Sequence, residues 1–205
     1  MHALDEGEAK KLLAAYGIPT TNFVVIENED ELSSLKLNYP LVMKVCSPHI
    51  IHKTDVGGVV LNIINEKQLR KNFLEMRRKF EGEKILIEEM EENGVEMIVG
   101  SIKDGFFGRV IMVGMGGIYT ELYRDVSFRK IPISKKDAEN MLKELKAYKI
   151  FEGFRNMKAD KEAMLDLILK ISDFVVKEKV YQMDLNPVFV YEHGLKVIDA
   201  KVVIE

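Results

Sequence analysis

A single cysteine, Cys46, has nothing within the chain to pair with, so no internal disulfide braces this fold. Its place in the apolar run over residues 41–46 marks it as a small buried hydrophobe and not a nucleophile. No apolar stretch approaches the ~20 residues of a membrane-spanning helix. The opening Met-His-Ala-Leu-Asp-Glu-Gly-Glu is too acidic and polar for a signal peptide, so the expected location is the cytoplasm. Neither sign of charge dominates: a net charge of -3, mixed along the chain, gives no electrostatic reason to expect nucleic acid or a membrane surface as partner. Repeats and low-complexity tracts are also missing, which predicts a chain folded throughout.

What is present is 205 residues, 47% hydrophobic and 31% charged, enough for one large domain or two small ones. Asp5 is placed to cap a first helix with the apolar stripe Ala9, Leu12, Leu13 and Tyr16, which Gly17 and Pro19 stop. Strands are expected over 22–26, 41–46 and 58–64, with a brief helix over 30–35. Asn65 and Gln68 form a capping box ahead of a helix that buries Leu69, Phe73, Met76 and Phe80. Strands follow over 84–89, 95–101, 109–113 and 126–132. Ser134 and Asp160 then cap two helices, and strands over 180–191 and 195–203 close the chain around a turn at His193-Gly194. The acidic segment 90–94 is the expected hinge, dividing a mixed α+β fold into an N-terminal lobe, 1–92, and a C-terminal lobe, 93–205.

Residues 44–58, Lys-Val-Cys-Ser-Pro-His-Ile-Ile-His-Lys-Thr-Asp-Val-Gly-Gly, have the least reason to occur in a purely structural domain. Pro48 ends a strand and Gly57-Gly58 restart one, so His49, His52, Lys53 and Asp55 fall on a loop. Imidazole, with an unperturbed pKa of ~6.5, serves as nucleophile, proton carrier or ligand near neutrality. The plainer reading is a solvated connection. Lys44 interrupts an apolar strand, so it either guards an edge or meets an anion. Glu88 alternates out of Ile85-Leu86-Ile87 and Glu96 heads the next strand; carboxylates there suit a ribose or an amine, and equally a solvated surface. Gly114-Met115-Gly116-Gly117 suits a backbone nest for an anion and is neither a Walker loop nor a Rossmann fingerprint. Arg129 is either a phosphate partner or a solvated strand residue.

With His193 and Gly194 as the two turn residues, Glu192 pairs with Leu195 and Asn186 faces Lys201. Alternation then gathers Asp184, Asn186, Asp199 and Lys201 on one face. Asn186 and Asp199 become diagonal neighbours with oxygens suited to Mg²⁺, which takes one or two protein groups and completes its shell with water and phosphate. A hairpin with one wet face explains the same pattern.

Taken in order, these residues resemble an ATP-grasp domain, and in particular the β subunit of the ADP-forming acetate–CoA ligases. The resemblance covers essentially the whole chain: Tyr-Gly-Ile-Pro at 16–19, Pro-Leu-Val-Met-Lys at 40–44, the histidine loop at 47–58, Gly-Met-Gly-Gly-Ile-Tyr-Thr-Glu-Leu at 114–122, Asp-Leu-Asn-Pro at 184–187 and Ile-Asp-Ala-Lys at 198–201. Its specific parts are His-Lys-Thr-Asp and the Asn-Pro hairpin. The resemblance implies two α/β lobes with ATP or ADP bound between them and Mg²⁺ as cofactor. It implies Lys44 at the nucleotide phosphates, Glu88 and Glu96 toward adenine and ribose, and Asn186 and Asp199 as Mg²⁺ ligands. His52 matches a histidine transiently phosphorylated on the way to the nucleotide, and Lys53 beside it is placed to steady that charge. Asp184 stands where the related succinate–CoA ligases carry a longer glutamate. The implied reaction converts acyl-CoA, ADP and phosphate to acid, ATP and CoA. A separate α subunit would supply the CoA-binding and ligase domains in a complex of two α and two β chains. Rival readings are a succinate–CoA ligase β chain, another ATP-grasp carboxylate ligase that needs no histidine at position 52, and a non-catalytic nucleotide-binding module.

Overall fold

The computed structural model describes residues 1–50, 52–117, 124–155 and 157–205. The chain divides into two compact units. The smaller comprises residues 5–8 and 21–92, and the larger residues 1–4, 9–20 and 93–205. Helices and antiparallel sheets make up both, an α+β fold as expected.

The smaller unit is built on an antiparallel sheet of four strands in the order β2 (Phe23–Ile26), β5 (Lys84–Glu89), β3 (Leu41–Cys46) and β4 (Val59–Ile63). On one face lies the Glu66–Lys79 helix, whose Leu69, Phe73 and Met76 join Met43, Val45, Ile85 and Ile87 in a core. Asn65 Oδ1 accepts the Gln68 N–H at 3.0 Å, and the Gln68 side chain accepts the Ile64 N–H at 3.0 Å, so the cap read from sequence is present. Alternation sends Val42, Lys44 and Cys46 to the other face. There the register Val42 to Glu88 and Lys44 to Leu86 makes Lys44 and Glu88 diagonal neighbours. The Glu6–Ala15 helix begins over this face. Asp5 Oδ1 takes the Glu8 N–H at 2.8 Å and Glu8 Oε2 returns to the Asp5 N–H at 2.9 Å. The approach needs glycine at position 7, where a Cβ would stand 2.5 Å from Val25 Cγ2. Cys46 is buried, and burial pushes its thiol up to about 12, which keeps it an inert hydrophobe.

The larger unit is a seven-stranded antiparallel sheet: β1 (His2–Ala3), β11 (Ala200–Ile204), β9 (Val180–Val190), β6 (Val95–Asp104), β7 (Gly108–Met115) and β8 (Val126–Lys130) in order, with β10 (Leu195–Val197) also paired to β9. The Lys135–Glu144 and Lys161–Lys177 helices cover one face, burying Met141, Ile168 and Ile171 with Val99, Ile111, Val113 and Leu185. Ser134 and Asp160 cap them as expected.

The closing hairpin departs from the sequence reading. Val190, not Glu192, pairs with Leu195, so the connection is Tyr191–Gly194 and the register is displaced by two. Lys201 therefore faces Asp184 instead of Asn186. The cause is Asp160: while one oxygen caps the helix by accepting the Ala163 N–H at 3.0 Å, the other takes the Gly194 N–H at 2.7 Å. A two-residue shift preserves alternation, so the facing set survives.

These N–H donors, Gly194 first and then Ala163, hold the Asp160 carboxyl below the usual carboxylate range. A depressed folded-state value means stability that is present above the unfolded-state value and lost as pH falls through the folded one. Asp160→Ala is expected to cost about 1–2 kcal/mol at pH 7. Urea unfolding at pH 7 and in acid checks this: the gap between parent and variant should narrow in acid, and an undiminished gap would remove the charge from the explanation.

Candidate functional site

Two lysines and two glutamates meet on the covered face of the smaller unit. Lys44 Nζ lies 2.8 Å from Glu6 Oε1 and 2.7 Å from Glu88 Oε1. The other Glu6 oxygen is ion-paired with Lys53, and Thr21 Oγ1 donates to Glu88 Oε2 at 2.6 Å. Relative exposures of 3% for Glu6, 6% for Lys44, 7% for Lys53 and 1% for Glu88 take all four charges almost out of water, a state only mutual pairing makes tolerable. Strand β3 lies inside its sheet between β5 and β4, so Lys44 is no edge guard; it meets anions, and those anions are carboxylates. An ammonium has three donors, so phosphate binding here means sharing Lys44 with these carboxylates or displacing one of them.

The loop after β3 closes on Lys53. Its carbonyl accepts the Gly58 N–H at 2.6 Å, the Thr54 carbonyl accepts the Gly57 N–H at 3.0 Å, and the Gly58 carbonyl accepts the Val45 N–H at 2.8 Å. Lys53 is thus fixed through both main chain and side chain, whereas His52, His49 and Asp55 are exposed.

In the larger unit the shifted register brings Asp199 opposite Asn186, whose N–H donates to the Asp199 carbonyl at 3.2 Å. The pair is directly opposed, not diagonal as expected. Asn186 is exposed and Asp199 half-buried. Burial pushes the neighbouring Asp184 carboxyl above the usual range, Lys201 opposes that shift and Asp199 adds to it. Among the described residues there is no group of three acids, histidines or cysteines able to cage a metal. Two hard oxygen donors on an open strand face fit Mg²⁺, which keeps several of its waters or phosphate ligands.

Glu96 is exposed at the start of β6. A Cβ at Gly116 would stand 3.0 Å from the Glu96 main-chain carbon, so the glycine run makes room for Glu96 where an anion nest was expected. Residues 118–122 of that motif lie outside the described residues. A cavity of about 450 Å³ is lined by Glu96, Met115, Gly116, Gly117, Ile150 and Met157. The larger cavity beside it, about 630 Å³ and bordered by Phe154, Arg155, Lys158 and Tyr191, is lined by none of the expected site residues. Arg129 pairs with Glu144 through both terminal guanidinium nitrogens, which gives it a structural partner in place of a phosphate.

The ATP-grasp domain model matches residues 1–204. The chain belongs to the ATP-grasp family. Acetate–CoA ligase [ADP-forming] II of Archaeoglobus fulgidus is 43% identical over 97% of this chain, which spans 30% of that relative's length. The β subunit of acetate–CoA ligase [ADP-forming] I of Pyrococcus furiosus is 40% identical, with 98% of this chain and 91% of the relative covered. A chain in the structure of Ca. Korarchaeum cryptofilum acetyl-coenzyme A synthetase 1 with coenzyme A and Mg-AMPPCP, its phosphohistidine segment pointing towards the nucleotide binding site, is 42% identical with a TM-score of 0.86, covering 99% of this chain and 93% of that one.

In this ATP-grasp chain one member of the charged cluster, and the hydroxyl that donates to Glu88, escaped the sequence reading. Glu6 reads as an ordinary first-turn helix acid, and Thr21 as loop polarity. The one available signal was arithmetic: two lysines expected near phosphate, if buried, need nearby carboxylates, and Glu88 alone balances one.

Proposed function

We propose that this chain is the nucleotide-binding component of an ADP-forming acyl-CoA ligase, making ATP by way of His52. The observation that carries this reading is the placement of His52: exposed to solvent, yet one residue from an ammonium fixed in a buried charged cluster. A neutral imidazole so placed is a competent nucleophile near pH 7. In the ATP-forming direction the N–P bond of phosphorylated His52 breaks as a bond forms to a terminal phosphate oxygen of ADP, and the ring takes a proton from solvent, which leaves the imidazole neutral. Lys44 and Lys53 balance the charge of the phosphates, Glu88 and Glu96 accept hydrogen bonds from the nucleoside, and Asn186 and Asp199 hold Mg²⁺. Bound there, Mg²⁺ would supply charge neutralisation for the phosphates.

In this reading the chain works as two lobes, 1–92 and 93–205, in the cytoplasm. CoA and the acyl group are handled by a separate α subunit, in a complex of two copies of each. The β-subunit relative of similar length, and the longer relative of which this chain spans 30%, support that division of labour.

The reading is tested by mixing the chain with its partner subunit and following ATP formation from acyl-CoA, ADP and phosphate. Turnover is expected from the mixture and not from the chain alone; nucleotide binding without transfer would favour a nucleotide sensor. Asp199→Asn is expected to weaken Mg-ADP binding by about tenfold or more, about 1.4 kcal/mol, without unfolding the chain. Unchanged Mg-ADP affinity by calorimetry would remove Asp199 from the site.

A further inference from the structure

We propose that Glu6 is a positioning residue for phosphoryl transfer: its one carboxylate seats both Lys53, at the base of the histidine loop, and Lys44 of β3, and thereby sets where His52 stands. The inference rests on the reading of His52 as a phosphoryl carrier.

Glu6 binds the two lysines with different oxygens, Lys44 through Oε1 and Lys53 through Oε2. Lys44 has a second carboxylate in Glu88. Lys53 belongs to the loop and is held to the body of the unit by its Glu6 pair, while its carbonyl closes the turn to Gly58. His52 is the residue immediately outward of this fixed point and is exposed. A swing of the carrier therefore starts from a base located by a helix-borne carboxylate, and Gly7 is what lets that helix come close enough to supply it. The cluster formed by these four side chains is also electrically balanced, two cations against two anions. Neutralising Glu6 leaves these four side chains with one positive charge in excess, attractive to phosphate, and removes the carboxylate that seats Lys53. Transfer and nucleotide binding should then change in opposite senses, which general destabilisation does not produce.

The test is single-turnover labelling of the full chain with ATP carrying the label in its γ-phosphate. The bond from the γ-phosphorus to ADP oxygen breaks, a P–N bond to imidazole forms, and the ring proton leaves to solvent. For Glu6→Gln the maximal labelling rate should fall roughly 10- to 100-fold, the scale on which misplacement of a reacting group acts. The ATP concentration giving half that rate should stay the same or decrease. Trypsin cleavage after Lys53 should speed up several-fold in the folded variant. The charge-balanced double variant Glu6→Gln/Lys53→Met guards against misfolding of the single one; having also lost the Lys53 ammonium, it should label no faster than Glu6→Gln. Parental labelling rates in Glu6→Gln, or a parallel loss of rate and ATP affinity, would overturn the role of Glu6 while the His52 reading stands. Absence of acid-labile label from the parental chain itself would overturn both.

Discussion

His52→Ala is expected to abolish ATP formation from acyl-CoA by the assembled complex while leaving nucleotide binding and assembly intact. The side chain is exposed, so its truncation removes no packing and should shift stability by no more than about 0.5 kcal/mol. Its chemical loss is of another order. Phosphoryl transfer needs the reacting atoms nearly in contact and in line, and in the proposed reading the phosphoryl group arises where a partner subunit cleaves the thioester. Without a carrier on this chain the two half-reactions are uncoupled, and a loss on the order of 10⁴-fold or more is expected, as when other covalent nucleophiles are removed. Three measurements together decide: coupled ATP formation should vanish, acid-labile label should be absent, and Mg-ADP calorimetry should match the parent. Full turnover by the His52→Ala complex would sink the carrier role and point to direct transfer from the partner.

The parts of this fold legible in sequence were those whose cause lies within a few residues. The Asp5–Glu8, Asn65–Gln68 and Ser134–Asp137 caps each span four residues, and each is present. The hairpin register failed because its determinant is not local: Gly194 is held by Asp160, 34 positions upstream. The error was harmless to the facing set only because a shift of two preserves parity, and so Asn186 and Asp199 still meet. Lys44 could be read only as edge guard or anion partner, since strand order is a tertiary fact. Glu6 was invisible for a related reason. A helix pattern marks which residues are apolar, but an acid in the first turn looks the same whether it faces water or is covered, as Glu6 is at 3% exposure.

Lys44→Met is expected to be both the most destabilising change at this site and a loss of nucleotide binding, and a second substitution separates the two effects. Without Lys44, Glu6 keeps Lys53 and Glu88 keeps the Thr21 hydroxyl, so the buried cluster retains two anions against one cation. Stranding a buried charge in this way costs on the order of 3–5 kcal/mol, a large part of the roughly 5–15 kcal/mol that holds a domain folded. Adding Glu88→Gln restores neutrality while keeping a hydrogen-bonding partner for Thr21. The Lys44→Met/Glu88→Gln chain should therefore recover most of the lost stability, since buried ion pairs replaced as pairs are close to neutral for folding. It should not recover nucleotide affinity, because the ammonium proposed to meet the phosphates is still missing and the carboxylate proposed to meet the nucleoside is now an amide. Denaturant titration reads the first effect and calorimetry with Mg-ADP the second. If the double variant is as stable as the parent and binds ADP equally well, Lys44 serves the fold alone and the phosphates are held by other residues.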